Sequence, residues 1–163
     1  MNQRAPHSSP DELAASPAGH AQIIEVDRTS LDIIRRLNVE IFNEERIINT
    51  FEKEDLIMLL AIVDDEAVGF KIGYRENRFV YYSAKGGVLP EYRRQGVALK
   101  MLNEMMDRAR ERGYIRFAYD TFPNLGAGMT IMGLEEGFRV VKADFNKTYK
   151  DWRIRLEKRL VER

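Results

Sequence analysis

The order in which strand-like and helix-like segments follow one another constrains the fold of this chain most. Residues 21–26 form an extended run. The apolar positions from Leu31 to Phe42 then recur at spacings of three and four, which predicts an amphipathic helix that begins after Thr29 or Ser30. A second short helix is expected over residues 46–53. The full order, β-α-α-β-β-β-α-β-α-β-β, is typical of a mixed α/β layer structure and not of a doubly wound sheet. The other predicted strands cover residues 58–63, 68–74, 79–88, 114–121, 138–143 and 152–156, and the other predicted helices cover residues 96–112 and 129–136.

The length of the chain fits one domain preceded by a tail. The sequence has 163 residues, and a domain typically takes roughly 100 to 200. Residues 1–20 contain three prolines among small and polar residues, with Leu13 as the only large aliphatic side chain after Met1. Such a segment buries too little apolar surface to offset its ordering entropy. We therefore expect a flexible tail over residues 1–20 and a single domain over residues 21–163.

The composition excludes several classes of site. The chain has no cysteine, which removes disulfides, thiolate catalysis and cysteine-based metal centres. Its two histidines, His7 and His20, lie near the start, so we expect no metal. The 26 basic and 26 acidic side chains balance, which argues against binding of nucleic acid through bulk charge. No stretch approaches the roughly 20 apolar residues of a membrane span, and the first residues lack the apolar run of a signal peptide. We therefore expect a cytoplasmic protein with neither a membrane nor a nucleic acid as partner.

The segment from Val88 to Ala98, VLPEYRRQGVA, lies where a predicted strand ends and the longest predicted helix begins. A helix N-terminus carries unpaired N–H groups and about half a positive charge, so a loop that enters it can hold a phosphate. Gly96 leaves room for a phosphate oxygen beside the backbone, and Arg93 and Arg94 add positive charge. The alternative is a plain helix start with two solvated arginines. The dinucleotide fingerprint and the Walker A motif are both missing from the sequence.

This segment resembles the signature of the GNAT superfamily of acyl-CoA-dependent N-acyltransferases. The family's Arg/Gln-x-x-Gly-x-Gly/Ala pattern is present together with the preceding Val-x-Pro. Gly137-Phe138 matches the Gly-Phe that follows the family's short helix beside CoA. The resemblance covers roughly residues 24–156 in element order. It implies acetyl-CoA as cosubstrate and a GNAT-like mixed α/β fold, with a central mixed, mostly antiparallel sheet of about six to seven strands and helices on both faces.

The resemblance also implies which residues hold the cosubstrate. The backbone amides from Arg94 to Leu99 would bind the pyrophosphate of CoA, and the main chain of Val88 would pair with the pantetheine arm. Asn124, just before the short helix, is either a CoA contact or the N-cap of that helix. The complete implied set is Val88, Leu89, Arg93, Arg94, Gln95, Gly96, Val97, Ala98, Leu99 and Asn124.

The catalytic groups of the family have no clear counterpart in this sequence. Many relatives carry a tyrosine four residues before the Gly of Gly-Phe, as the acid that protonates the departing CoA thiolate, and here that position is Gly133. The usual carboxylate base on the fourth strand is missing as well. By residue type, the groups that can accept the proton of the amine are Tyr82 and Ser83 on that strand and Glu44 or Glu45 from the preceding helical region. For Glu44 and Glu45, the alternative to a catalytic role is that each lies on a solvated helix face.

The resemblance therefore implies an N-acetyltransferase that transfers an acetyl group from acetyl-CoA to a primary amine by direct attack in a ternary complex. The alternative is an acyl-CoA-binding sensor or regulatory domain of the same fold, which Gly133 favours. A third hypothesis is a nucleic-acid or protein contact through residues 139–163, which hold nine basic and four acidic side chains. Interspersed charges of both signs usually indicate a solvated face instead.

Charge is distributed unevenly along the chain. Residues 40–66 hold nine acidic and two basic side chains, a local net charge of −7. In the fold that the resemblance implies, this region lies near the acceptor entrance, so we expect a cationic small-molecule or peptide amine as acceptor, with a homodimer as a further option.

Aromatic residues in strands belong to the core more often than they line a pocket. Alternation along the strand predicts opposite directions for Tyr81 and Tyr82. The aromatic set in question is Phe79, Tyr81, Tyr82, Tyr114, Phe117, Tyr119 and Phe122.

Overall fold

The computed structural model describes residues 20–162. The tail that the sequence predicts for residues 1–20 therefore lies outside the described residues, apart from His20. The described part of the chain forms seven strands and three α-helices. In chain order they are β1 Gln22–Val26, α1 Leu31–Phe42, β2 Ile57–Val63, β3 Glu66–Arg75, β4 Val80–Val88, α2 Val97–Glu111, β5 Arg116–Thr121, α3 Gly128–Glu135, β6 Arg139–Asn146 and β7 Asp151–Arg159.

All seven strands form one sheet in the order β1-β2-β3-β4-β5-β7-β6. Neighbouring strands are antiparallel except β4 and β5, which are parallel. Parallel neighbours need a crossover connection, and α2 lies in that connection. The pairing of β4 with β5 ends at Ser83 and Tyr119, although β4 continues to Val88. The sheet is thus mixed and mostly antiparallel, as the resemblance implied, and its two parallel strands part beyond Ser83.

Helices cover both faces of the sheet. On one face, here called the α1 side, Ile34 and Leu37 of α1 pack with Phe70 of β3. On the other face, the α2 side, Leu102 of α2 packs with Leu59 of β2. Strand β2 reads IMLLAIV, a continuous apolar run, because both of its faces are covered by helices. The predicted arrangement of helices on both faces is confirmed.

The prediction of a helix over residues 46–53 is wrong, because residues 43–56, which connect α1 to β2, have no regular secondary structure. Asn43 ends α1 in the left-handed conformation, with a φ of 54°. The next carbonyls, which a helix would use internally, accept hydrogen bonds from side chains of other elements. Glu44 O accepts from Asn38 Nδ2 at 2.7 Å, and Arg46 O accepts from Lys85 Nζ at 2.9 Å. These bonds fix the segment as a loop over the α1 side.

The aromatic residues divide between core and surface, with most of them in the core as expected. Phe79 is 41% exposed and is the clearest exception. Tyr81 is buried on the α2 side, and Tyr82 lies on the α1 side, where its ring centroid is 5.7 Å from that of Tyr74. The predicted alternation of these two tyrosines is confirmed. The buried members of the set are Tyr81, Tyr114, Phe117 and Tyr119.

Within residues 139–162, Arg153 and Arg155 of β7 form ion pairs with nearby carboxylates. Arg153 Nη2 lies 3.0 Å from Asp144 Oδ2 across the β6–β7 pair. Arg155 Nε donates to Glu157 at 3.0 Å, and its Nη1 donates to Glu76 at 2.7 Å. Such internal pairing favours the interpretation of this segment as a solvated strand face over the hypothesis of a basic docking surface.

Candidate active site

A cavity of about 1020 Å³ opens where β4 and β5 part. The loop after α1, strands β3 and β4, the first turns of α2, the end of β5 and the β6–β7 turn all contribute to its wall. Side chains from both sides of the sheet line it. Lys71, Ser83 and Tyr119 line it on the α2 side, and Tyr82 and Asp120 line it on the α1 side. The splitting of the sheet therefore creates one cavity with two chemically different walls.

The predicted phosphate loop follows β4 directly. Leu89 N donates to Val68 O at 2.8 Å, and a short 3₁₀ turn over Pro90–Tyr92 then leads toward α2. Arg94 and Gly96 both have left-handed backbone conformations, with φ of 60° and 83°. Gly96 is the N-cap of α2, and a Cβ built there would meet nothing within 4 Å. The first N–H groups of α2 thus face open space without a capping side chain, which is the geometry that an anion requires.

The side chains of the loop differ in their roles. Arg93 Nε donates to Val88 O at 3.0 Å, and Gln95 Nε2 donates to Glu91 O at 3.0 Å. These two side chains stabilise the shape of the loop itself. Arg94 is exposed and makes neither a hydrogen bond nor an ion pair within residues 20–162. Arg94 is therefore the arginine of the pair whose whole guanidinium group is available to an incoming anion.

Tyr82 and Asp120 form the polar centre of the α1 side. Tyr82 OH donates to Asp120 Oδ2 at 2.6 Å. Burial raises the pKa of Tyr82 well above its ordinary value, and the hydrogen bond to Asp120 raises it further. Tyr82 therefore stays a protonated phenol near neutral pH and is a hydrogen-bond donor, not a base. Asp120 is the carboxylate that the sequence analysis missed, and only the parallel pairing of β4 with β5, which sets Tyr82 opposite Ala118, shows that the two share a wall.

The other catalytic candidates of the sequence analysis lie apart from one another. Ser83 is 6% exposed and lies on the α2 side, opposite to Tyr82, because successive strand residues alternate. Glu45 is exposed at the rim of the cavity. Glu44 Oε2 accepts from Lys85 Nζ at 2.8 Å, so this carboxylate is half of an ion pair. The four candidates thus do not form one catalytic cluster.

The structure explains why residue 133 is a glycine. A Cβ at Gly133 would lie 2.0 Å from the hydroxyl oxygen of Tyr119. That hydroxyl donates to Met129 O at 2.6 Å and so connects β5 to the first turn of α3. Burial raises the pKa of Tyr119 to about 12, so the phenol keeps its proton. The space beside α3 is therefore filled from β5, and a tyrosine at position 133 is sterically excluded while Tyr119 keeps this place.

Asn124 does not cap α3, so that alternative is wrong. The N-cap of α3 is Ala127, and Asn124 is exposed in the loop before it. Asn124 Nδ2 donates instead to Asp151 Oδ1 at 3.0 Å, at the start of β7. The sequence could not indicate this bond, because Asp151 lies 27 positions further along the chain. The proposed contact with CoA stays a prediction.

The acidic region is only partly at the cavity. Of the acidic side chains in residues 40–66, Glu44 and Glu45 line it. Asp64, Asp65 and Glu66 lie instead at the turn between β2 and β3.

Within residues 20–162, no cluster of acidic or histidine side chains has the arrangement of a metal site. Over the same range, no helix is long and apolar enough to cross a membrane.

Solved acetyltransferases share this fold. The ribosomal-protein-S18-alanine N-acetyltransferase from Escherichia coli superposes with a TM-score of 0.75 at 15% identity, over 88% of this chain and 96% of that chain. Arabidopsis thaliana Naa50, in complex with the bisubstrate analogue CoA-Ac-MVNAL, superposes with a TM-score of 0.72 at 18% identity, over 85% of this chain and 97% of that chain. A GNAT family acetyltransferase from Elizabethkingia anophelis with acetyl-CoA bound superposes with a TM-score of 0.63 at 14% identity, over 85% of this chain and 97% of that chain. The split sheet is thus the fold of the acetyltransferase class.

A family model places the chain more narrowly within that class. The model described as "Acetyltransferase (GNAT) family" matches residues 23–128, which is more than half of the chain. The match includes β1 to β5, α1, α2 and the loop that joins β4 to α2. A search of curated protein sequences finds no match. The chain belongs to the GNAT acetyltransferase family.

Proposed function

We propose that this protein is an N-acetyltransferase that transfers an acetyl group from acetyl-CoA to a primary amine by direct attack in a ternary complex. One observation carries the proposal. The open N-terminus of α2 and the gap between β4 and β5 are joined by the single loop that follows Val88. An anion held by the loop would direct an attached thioester arm along β4 into the gap. The cytoplasmic location and the homodimer stay predictions.

The cosubstrate would be held mainly by the backbone. The N–H groups from Arg94 to Leu99 would bind the pyrophosphate, with the exposed Arg94 guanidinium beside it. The edge of β4 at Val88 would pair with the amide groups of the pantetheine arm, because no strand among the described residues pairs with β4 on the β5 side beyond Ser83. Backbone donors in the gap would polarise the thioester carbonyl. Direct transfer then depends mostly on how the amine and thioester are positioned, which needs no covalent enzyme intermediate.

The acceptor amine would enter from the α1 side and lose its proton to Asp120. An ammonium must be deprotonated before attack, and a carboxylate next to the gap can accept that proton directly or through water. Tyr82 would orient Asp120 and keep its own proton.

We expect Asp120→Asn to lower kcat by about 100-fold, since general bases contribute roughly 10²–10⁴-fold, and we expect Tyr82→Phe to lower kcat by clearly less. Steady-state kinetics with the best acceptor check this, and equal losses in the two variants would contradict the assignment.

The acceptor would be a cationic amine, either a small molecule or a peptide N-terminus. Glu45 at the rim and Asp120 in the wall support this choice, because each attracts a positive charge. Two of the solved relatives suggest a peptide: one acts on ribosomal protein S18 alanine, and another binds a peptide-bearing bisubstrate analogue. A preference for neutral or acidic acceptors would contradict this part of the proposal.

Two measurements test the function. Acetyl-CoA is expected to raise the Tm of the purified protein, and thiol release from acetyl-CoA is expected with at least one member of a panel of cationic amines and peptides. A protein that binds CoA and releases no thiol above background with any acceptor would be the sensor domain of the alternative hypothesis, which Gly133 favours. A protein whose Tm does not respond to acetyl-CoA would overturn both hypotheses.

A further inference from the structure

Lys71 is a buried lysine at the cavity. It lies in β3 on the α2 side, opposite Leu59 of β2 and Gly86 of β4, and is 5% exposed. Its side chain leans over Gly86, because a Cβ built at Gly86 would lie 3.2 Å from Lys71 Cγ. A glycine at position 86 therefore leaves the room through which Lys71 reaches from β3 toward the gap. Lys71 lines the cavity together with Ser83, Ala98 and Met101.

The ammonium group of Lys71 has no hydrogen-bond or ion-pair partner among residues 20–162. Within residues 20–162, Lys71 makes neither a hydrogen bond nor an ion pair, whereas buried lysines are almost always paired. Burial alone lowers the pKa of Lys71 to about 8. A buried ammonium without a hydrogen-bond or ion-pair partner destabilises the folded state. Such a group in the wall of a cavity indicates that a bound ligand supplies the missing partner.

We propose that Lys71 is the proton donor to the CoA thiolate on the α2 side of the gap. The inference rests on the proposed function, because it takes the thioester to lie beside Gly86. When the tetrahedral intermediate collapses, the C–S bond breaks and its electron pair goes to sulfur. One N–H proton of Lys71 moves to that sulfur, which leaves a CoA thiol and a neutral amine. Lys71 regains its proton from solvent after CoA leaves.

Four phenols line the cavity, of which Tyr74 lies on the α1 side beside Tyr82 and Tyr149 is 52% exposed in the β6–β7 turn. The hydroxyl groups of the other two already donate elsewhere. Tyr119 OH donates to Met129 O, so its proton points toward α3. Tyr82 OH donates to Asp120 on the α1 side, across the sheet from Lys71. Lys71 retains all three of its N–H donors. Its lowered pKa also makes Lys71 a stronger acid toward a departing thiolate than an ordinary lysine would be.

The first test needs no acceptor amine. The thiolate absorbance of bound CoA is titrated with pH in the wild type, in Lys71→Met and in Lys142→Met, a matched control on exposed β6. An ammonium beside the sulfur lowers the pKa of the bound thiol by roughly 1–3 units, and this shift is expected to be lost in Lys71→Met alone. Binding of S-methyl-CoA, which has no ionisable sulfur, is expected to be the same in all three proteins.

The outcomes separate this inference from the proposed function. If neither CoA nor S-methyl-CoA binds the wild type, the proposed function fails and the inference fails with it. If both bind and the thiol titrates identically in the wild type and Lys71→Met, the function stands and Lys71 is not at the sulfur. If peptide mass spectrometry finds Lys71 acetylated stoichiometrically by acetyl-CoA, Lys71 is a nucleophile and the inference is overturned.

Turnover gives a second readout once an acceptor is known. Loss of a general acid is expected to lower kcat of Lys71→Met by about 100-fold and to leave KM for acetyl-CoA within a few-fold, since the proton is transferred only as the thiolate departs. An unchanged kcat, or a loss confined to KM, would contradict the role. A lower Tm for Lys71→Met would show a structural role for the lysine and would also contradict it.

Discussion

Lys71 and Lys85 lie on adjacent strands at the same cavity, but their surroundings are opposite. Lys85, on the α1 side, donates to Glu44 and to Arg46 O, and its ammonium lies 4.7 Å from the ring centroid of Phe42. Lys71, on the α2 side, is more deeply buried and has no such partner within the described residues. The α1 side therefore uses its lysine to hold a loop in place before any ligand arrives. The α2 side leaves its lysine without a protein partner in residues 20–162, as the proposed proton transfer to sulfur requires.

The largest effect on stability is expected from Lys71→Met. The pKa of Lys71 in the fold, about 8, lies below the ordinary value of 10.5, so folding disfavours the charged form. This destabilisation is complete below pH 8, shrinks between pH 8 and 10.5, and is absent above. At 1.36 kcal/mol per pKa unit, Lys71→Met is expected to be up to about 3 kcal/mol more stable than the wild type at pH 7. Urea unfolding at pH 7 and pH 10 checks this, and the difference should largely close at pH 10.

The control for this prediction is Lys142→Met, an exposed lysine for which a change within about 0.5 kcal/mol is expected at both pH values. A Lys71→Met protein that is less stable than the wild type at pH 7 would break the comparison between the two lysines, because it would mean that Lys71 has a stabilising partner.

The next effect in size is expected from Gly133→Ala, on the α2 side. The new Cβ would lie 2.0 Å from Tyr119 OH, so the variant is expected to lose about 2 kcal/mol of unfolding free energy, within the range for overpacked cores. Tyr119→Phe removes the clashing oxygen, so the same alanine in that background is expected to lose less than about 1 kcal/mol. A double-mutant cycle by urea unfolding measures the difference.

Gly126→Ala is the matched control for Gly133→Ala, because a Cβ there would meet nothing within 4 Å and the loss should stay within about 0.5 kcal/mol. Additive effects of Gly133→Ala and Tyr119→Phe would contradict the conclusion that Tyr119 excludes a side chain at position 133.

Much of the fold was predictable because its signals are local. The apolar periodicity of α1 and α2 and the apolar run of β2 are properties of neighbouring residues, and each element lies within a few positions of its predicted bounds. The loop before α2 was predictable for the same reason. Gly96 takes a backbone conformation that favours glycine, and it stands at the junction of a strand and a helix in the sequence itself.

The features that escaped prediction are decided by partners far along the chain. The loop after α1 is irregular because Lys85, some 40 positions further on, bonds its carbonyl at Arg46. Asp120 joins Tyr82 only through the parallel pairing of β4 and β5, and the pairing of β3 with β4 sets Lys71 beside Gly86. No periodicity within one segment encodes these contacts. The catalytic part of the site was therefore harder to predict than the phosphate loop.

The smallest effect is expected from Lys85→Met, and it sharpens the comparison from the α1 side. The variant loses the ion pair with Glu44 and the hydrogen bond to Arg46 O, both near the surface, where water replaces part of each interaction. A loss of about 1 kcal/mol is expected, and limited proteolysis should cut residues 43–56 faster. Lys142→Met is again the control. The two cavity lysines would thus respond with opposite signs, because one is paired and the other is not. A stabilised Lys85→Met protein with an unchanged loop would remove the distinction between the two sides, since both lysines would then be uncompensated charges.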